Sequence, residues 1–139
     1  MMLLDASTLF LIVREADEDR ALRVFNDSRV TTLTDYEMGN ILWKEQRIAR
    51  RLSSAEIRDL ASRTKRILKM ITHVSTQPEA LEETLDIAIR ERVSYYDVSY
   101  IQTAKQLNLI LATDDNVLAK VASRYVKTSN AKQILKQTP

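Results

Sequence analysis

The stretch Leu109-Ile-Leu-Ala-Thr-Asp-Asp-Asn-Val-Leu118 decides the fold class, because an apolar run is followed by polar residues and then a new apolar pattern. The four apolar residues 109–112 are too few for a helix and are typical of a strand buried on both faces. A short helix is predicted at residues 117–123. Met2-Leu-Leu-Asp-Ala-Ser7 shows the same order of strand, acid and helix at the start of the chain.

Strands and helices alternate outward from these two stretches. Strands are predicted at residues 2–4, 29–33, 71–75, 109–112 and 125–128. The main helices are predicted from about residue 35 and at residues 53–69, 78–92, 96–107 and 131–136. Parallel strands need crossover connections, which helices supply. This order predicts a three-layer α/β/α sandwich around a central parallel sheet of about four to five strands.

The composition favours a single domain over residues 1–139. At this length and with 45% hydrophobic residues, the chain can bury a substantial core. Its apolar runs are far shorter than the roughly 20 residues that a membrane helix needs. The first residues also lack the basic segment of a secretory signal peptide. We therefore expect a cytoplasmic protein without a membrane segment.

Several kinds of chemistry are excluded by residues that the chain lacks. Without cysteine there are no disulfides and no thiolate nucleophiles or metal ligands. His73, the only histidine, lies in a predicted strand, which favours a structural role over a Ser-His-Asp mechanism. Gly39 is the only glycine, so neither a dinucleotide-binding loop nor a P-loop can form. Carboxylates remain the main candidates for chemistry.

Acidic residues stand where strands end or helices begin. Asp5 ends the first strand, Asp114 and Asp115 follow the strand at 109–112, and Glu37 and Asp97 open two helices. Ligands of open α/β sheets bind beyond the carboxyl ends of the strands, so we expect these side chains to converge there. Clustered carboxylates repel one another, and Mg²⁺ or Mn²⁺ is a natural counter-ion. A phosphodiester substrate fits, because phosphate oxygens complete the coordination of such ions.

Helix capping is the alternative explanation for the same residues. Thr34-Asp-Tyr-Glu37 and Ser94-Tyr-Tyr-Asp97 both match the capping-box pattern. Asp5, Asp114 and Asp115 suit turns and first helical turns, where a carboxylate accepts backbone N–H groups. Capping and metal binding are compatible, since a carboxylate has two oxygens.

Four blocks of the sequence together resemble PIN domains over nearly the whole chain. The blocks are Met2-Leu-Leu-Asp-Ala-Ser7, Tyr36-Glu-Met-Gly-Asn-Ile-Leu-Trp43, Tyr96-Asp-Val-Ser-Tyr-Ile-Gln-Thr-Ala-Lys105 and the opening stretch at 109–118. Each block alone is weak evidence for the family, and the four blocks together are specific for it.

The resemblance implies a role for each acid and for several neighbours. By it, the metal-binding and catalytic residues are Asp5, Glu37, Asp97 and Asp115. Supporting roles are implied for Ser7, Asn40 and Thr113. Asp114 occupies the variable middle position of the Thr-x-Asp motif, where it either assists or replaces Asp115.

Compact VapC-type toxins are the PIN proteins that the chain resembles most. The resemblance implies an endoribonuclease that uses a water activated by Mg²⁺ or Mn²⁺, a VapB-type antitoxin as partner, and a homodimer. Two alternatives stay open: a PIN nuclease of RNA processing that is not a toxin, and an inactive PIN-fold binding module. The presence of all four acids favours an enzyme.

The net charge of +2 hides an uneven distribution. Residues 44–69 contain nine Lys or Arg against three acids, and residues 116–139 contain five against none. Lys44, Arg47, Arg50 and Arg51 are candidates for RNA phosphate contacts, and a solvated helix face explains them equally well.

Five apolar or aromatic residues are candidates for an interface, although core packing is favoured for each: Trp43, Ile48, Leu52, Tyr95 and Tyr100.

Overall fold

A five-stranded parallel sheet forms the centre of the protein, as seen in a computed structural model that describes residues 1–139. The strand order is β3-β2-β1-β4-β5. The strands are β1 (Met2–Leu4), β2 (Ser28–Thr31), β3 (Thr72–Val74), β4 (Ile110–Ala112) and β5 (Thr128–Ser129). β1 lies between β2 and β4 and pairs Leu4 with Ala112, which brings the carboxyl ends of these two strands side by side.

Eight α-helices cover the two faces of the sheet. They are α1 (Ala6–Glu15), α2 (Glu18–Asn26), α3 (Thr32–Arg47), α4 (Ser54–Met70), α5 (Leu81–Glu91), α6 (Tyr95–Gln106), α7 (Asn116–Ala122) and α8 (Ala131–Gln137). A 3-10 turn at Pro78–Ala80 precedes α5. None of these helices has the length and apolar character to cross a membrane.

Alternating strand residues divide the core between the two faces. Leu4 lies in a large cluster with residues of α1 to α4 and α8, whereas Leu3 lies in a second cluster with residues of α6 and α7. Successive strand side chains point to opposite faces, so both residues are fully buried. The predicted α/β/α sandwich with a parallel sheet is confirmed.

Two strands lie at positions that differ from the predicted ranges. The predicted strand at 29–33 ends at Thr31, because Thr32 already begins α3. The predicted strand at 125–128 is found at Thr128–Ser129, because the N–H groups of Tyr125 and Val126 bond back to Ala122 in a turn after α7.

The side of α5 that faces the core does not include its two leucines. Leu81 and Leu85 are 57% and 47% exposed. Thr84, Ile87 and Ala88 face the core instead.

Candidate active site at the carboxyl edge of the sheet

A cleft of about 290 Å³ lies where β1 and β4 end. Its lining includes all four acids expected to bind metal, together with three of the other candidates. These residues are Asp5, Ser7, Glu37, Asn40, Lys44, Asp97 and Asp115. The carboxylates come from four separate segments, so the sheet and its helices bring together what the sequence separates.

Asp5 is the most buried carboxylate of the cleft, with 4% of its surface exposed. It is the N-cap of α1 and accepts the N–H of Thr8 at 2.8 Å. Its two oxygens also accept the hydroxyls of Ser7, at 2.8 and 2.9 Å, and Thr113, at 2.5 Å. Burial raises the pKa of Asp5, and these hydrogen bonds oppose that rise. Ser7 and Thr113 therefore hold the carboxylate in place.

Glu37 does not cap its helix, which corrects one sequence expectation. The capping box of α3 is formed by Thr31 and Thr34, so the helix begins at Thr32 and Glu37 lies in its second turn. Burial raises the pKa of Glu37, and the charges of Asp5 and Asp97 raise it further. With capping excluded, the structure provides no helix-terminal role for this partly buried acid.

Asp97 and Asp115 cap helices while keeping one oxygen free. Asp97 forms the expected capping box with Ser94. Its Oδ2 accepts a hydrogen bond from the Ser94 N–H at 3.3 Å. Asp115 is the N-cap of α7, and its Oδ1 accepts the N–H groups of Val117 and Leu118 at 2.8 and 2.9 Å. Because the second oxygen of each carboxylate makes no hydrogen bond within the protein, capping leaves it available to a ligand.

Asp114 is not among the residues that line the cleft, and its side chain links the end of β4 to α8. Its Oδ2 accepts the Thr8 hydroxyl at 2.7 Å and the Ala131 N–H at 2.9 Å. Ala131 is the first residue of α8, where N–H groups lack helical partners. This geometry favours Asp115 over Asp114 as the fourth acid.

Replacement of Asp114 by alanine is expected to destabilise the protein without weakening metal binding. The change leaves the buried N–H of Ala131 and the Thr8 hydroxyl without an acceptor, at a cost of about 1–3 kcal/mol. Urea unfolding measures the loss, and Mn²⁺ titration calorimetry should give a dissociation constant within about twofold of the unmodified protein. A large loss of Mn²⁺ affinity with unchanged stability would instead identify Asp114 as a ligand.

Tyr100 is the site residue that sequence reasoning missed. Its side chain is 2% exposed, and its hydroxyl donates to Oε2 of Glu37 and lies 2.9 Å from the Thr34 hydroxyl. Burial and the neighbouring Glu37 carboxylate raise the pKa of Tyr100, which keeps the phenol protonated as a donor. One signal was present in the sequence, since Tyr100 follows Asp97 by three residues and helical residues so spaced share a face.

Replacement of Tyr100 by phenylalanine is expected to lower Mn²⁺ affinity roughly 10- to 100-fold, the usual effect of losing a hydrogen bond that orients a metal ligand. Calorimetry with Mn²⁺ measures the change. Tyr95→Phe serves as the control, because Tyr95 is not among the residues that line the cleft. Equal affinities for the two variants would show that the hydroxyl does not orient Glu37.

Of the four candidate cations, only Lys44 borders the cleft. Arg47 ends α3, and Arg50 and Arg51 follow in the loop, where Arg51 lies 3.7 Å from Glu45.

Two interface candidates, Trp43 and Ile48, are 55% and 64% exposed, so the preference for core packing was wrong for them. It was right for Tyr100.

A divalent ion would have to be held by few direct ligands. No group of three or more acidic or histidine side chains is arranged to hold an ion by itself. Mg²⁺ commonly uses only one or two carboxylates and keeps several waters. The free oxygens of Asp97 and Asp115, beside the partly buried Glu37, fit this mode of binding.

Comparisons with known proteins find a matching family model and a related sequence. A family model described as "PIN domain" matches residues 2–124. The chain is 34% identical over 116 residues to "Exonuclease VapC9" of Pyrobaculum aerophilum, a match that covers 84% of the chain and 81% of the relative.

Two solved structures have the same fold. The crystal structure of PAE2754 from Pyrobaculum aerophilum has a TM-score of 0.78 at 25% identity, covering 99% of this chain and 93% of that one. FitAcB from Neisseria gonorrhoeae has a TM-score of 0.64 at 19% identity, covering 95% and 99%.

Proposed function

The chain belongs to the PIN-domain family, and we propose that it is a metal-dependent RNA endonuclease, the toxin of a VapBC-type toxin–antitoxin pair. We further propose that residues 1–139 act as one nuclease domain in the cytoplasm. The observation that carries the proposal is the convergence of Asp5, Glu37, Asp97 and Asp115 on one cleft. An inactive binding module would have no need of four mutually repelling carboxylates there.

In the proposed mechanism, the free oxygens of Asp97 and Asp115 would hold Mg²⁺ or Mn²⁺ directly, and Glu37 and Asp5 would act on the ion through its waters. When bound, the ion would supply an activated water at neutral pH and would neutralise charge on the phosphate. Tyr100 orients Glu37 through its hydroxyl, while Ser7 and Thr113 orient Asp5. No side chain acts as a covalent nucleophile. Asn40 lines the cleft, and its proposed supporting role is to donate a hydrogen bond to a phosphate oxygen.

Cations beside the cleft support RNA as the substrate. Lys44 lines the cleft, and Arg47 follows it by three residues on the same helix. Arg50 and Arg51 extend the positive charge past the end of α3. Contacts of this kind give affinity for the phosphate backbone without reading the bases.

Cleavage of a circular RNA tests the endonuclease proposal directly. A circle has no end, so only an endonuclease can open it, whereas an exonuclease, the activity in the name of the relative from Pyrobaculum aerophilum, needs a free end. We expect the purified protein to linearise the circle with Mn²⁺ or Mg²⁺ and to leave it intact with EDTA. Degradation restricted to linear RNA would replace the endonuclease proposal with an exonuclease.

A groove between α2 and α4 supports the antitoxin part of the proposal. It has a volume of about 360 Å³ and an apolar floor that includes Leu22, Phe25 and Ile67. Arg63 and Arg66 stand at its edge. An amphipathic segment with acidic residues on its polar side fits this groove, as expected of the tail of an antitoxin.

The outer face of α5 supports the proposed homodimer. Leu81, Leu85 and Ile89 follow one another at helical spacing and are 57%, 47% and 68% exposed. In an antiparallel pairing of two copies of α5, Glu82 near the start of one helix approaches Arg90 near the end of the other. Leu85→Asp is expected to give a monomer in analytical ultracentrifugation. A dimer of unchanged stability would place the contact elsewhere.

A further inference from the structure

Gly39, the only glycine of the chain, lies within α3 at a position where the fold does not require one. Glycine weakens a helix interior relative to alanine. A Cβ placed on Gly39 meets no atom within 4 Å, and its φ is not positive. Gly39 lines a groove between α3 and α4, and its missing side chain leaves the helix backbone open to a molecule that approaches from solvent.

Two exposed aromatic residues flank Gly39. Tyr36 and Trp43 are 81% and 55% exposed. Seven residues are close to two helical turns, so both lie on one face, about 10.5 Å apart along the axis. Gly39 and Asn40 form the floor between them. Bases in a stacked strand are about 3.4 Å apart. Two bases between the two rings create three such spacings, which together match the separation of Tyr36 and Trp43.

Charge on α3 and in the loop after it favours nucleic acid as the occupant. Beyond Trp43, the segment 44–51 contains Lys44, Arg47, Arg50 and Arg51 against a single acid, Glu45. A polyanion is attracted to such a surface, whereas a second copy meeting it through the same face brings like charges together. The surface is also continuous with the cleft, since α3 contributes lining residues to it.

We propose that Tyr36 and Trp43 form a stacking site that holds two unpaired nucleobases of the RNA across Gly39, beside the phosphate to be cut. The site rests on the proposed function for its RNA substrate. Aromatic side chains bind single strands in this way because every unpaired base offers a π-face, and a duplex covers those faces. The missing side chain at Gly39 lets the bases approach the helix backbone.

Trp43 provides the assay, because it is the only tryptophan of the chain. The Asp97→Asn variant in EDTA is titrated with a single-stranded oligoribonucleotide, with an abasic oligomer of equal length and charge, and with an RNA duplex. We expect strong quenching of tryptophan emission by the single strand and little by the other two. Equal quenching by the abasic oligomer would reduce the site to phosphate contacts and overturn the proposal.

Variants separate stacking from stability. In fluorescence anisotropy with labelled RNA, Tyr36→Ala should bind roughly 5- to 150-fold more weakly, the range expected for losing one stacked base. Trp43→Phe should keep most of the affinity that Trp43→Ala loses. Gly39→Leu should also weaken binding while raising the melting temperature, because leucine favours a helix more than glycine does. Leu107→Ala, which changes an exposed apolar residue at the end of α6, is the control and should bind normally.

Other outcomes have distinct meanings. Emission that depends on protein concentration without RNA would assign this face to a contact between copies and overturn the stacking site. Metal-dependent cleavage without base-dependent quenching would overturn the stacking site and leave the nuclease proposal standing. Base-dependent quenching in a protein that never cleaves RNA would support stacking and overturn the nuclease proposal.

Discussion

Replacement of Asp97 by asparagine is expected to lower metal-dependent RNA cleavage at least roughly 100-fold, because the ion that this carboxylate is proposed to hold would contribute several kcal/mol to stabilising the transition state. The fold should survive. The asparagine side chain retains an oxygen for the Ser94 N–H, and the backbone N–H of the replaced residue still donates to the Ser94 hydroxyl. Initial rates on the circular RNA, measured beside thermal melting, separate lost chemistry from lost structure.

The matched control is Asp86→Asn, which removes the same charge from the exposed side of α5. This variant should cleave at the rate of the unmodified protein. Equal cleavage by all three proteins would point to a contaminating nuclease and would remove the catalytic role of Asp97. Mn²⁺ calorimetry on the same preparations should show weaker binding only for Asp97→Asn.

The second large effect concerns the free energy of unfolding of the metal-free protein. It is expected to fall as pH rises above about 4.5, and Mn²⁺ is expected to restore it. Folding raises the pKa of both Asp5 and Glu37 above the ordinary values of 3.8 and 4.5. Between the unfolded and folded pKa values, the folded protein keeps protons that the unfolded chain has lost. Stability therefore decreases with pH through that window and levels off above it.

The exposed acids with lowered pKa values act in the opposite direction but at lower pH. Glu56, Glu83 and Glu91 have folded pKa values below 4.5, so the stability that they contribute is complete above that pH and is lost on acidification. The decrease above pH 4.5 consequently reports the acids of the cleft. Mn²⁺ at about 100 times its dissociation constant should add about 2.7 kcal/mol, or roughly 5–10 °C in melting temperature.

Glu37→Gln tests this assignment. Its amide oxygen can still accept the Tyr100 hydroxyl, but the buried charge and its repulsion with Asp5 and Asp97 are gone. The metal-free variant should melt higher than the unmodified protein at pH 8, with a smaller decline from pH 5 and little gain from Mn²⁺. Glu79→Gln, an exposed position just before α5, should behave like the unmodified protein. An unchanged pH profile in Glu37→Gln would show that Glu37 does not contribute to the decline.

The sequence by itself determined the sheet and the positions of the acids. Short apolar runs at the start of the chain and at residues 109–112 predicted β1 and β4, because a strand of this kind is recognised from local hydrophobicity alone. The carboxyl ends of parallel strands share one edge, so Asp5 and Asp115 could be expected together from their positions in the chain. The Ser94–Asp97 capping box was also predictable, since its pattern is local.

Choices between adjacent candidates depended on tertiary contacts. Thr31 and Thr34 both suit the start of a helix, and the register of β2 selects Thr31, which frees Glu37 from capping. Asp114 and Asp115 are neighbours of identical chemistry, and the packed N-terminus of α8 engages Asp114 and leaves Asp115 for the cleft. Hydrophobic periodicity indicates that a side chain is buried, but it does not show which residue of another segment packs against it.

Burial separated Tyr100 from Trp43 for the same reason. Both are aromatic residues on helices, and the sequence predicted core packing for both. Tyr100 faces the interior beside Glu37, whereas Trp43 is 55% exposed on α3. The sequence determined which side chains can do chemistry, and the packing of helices on the sheet decided which of them meet, because contacts between distant segments are not encoded in local pattern.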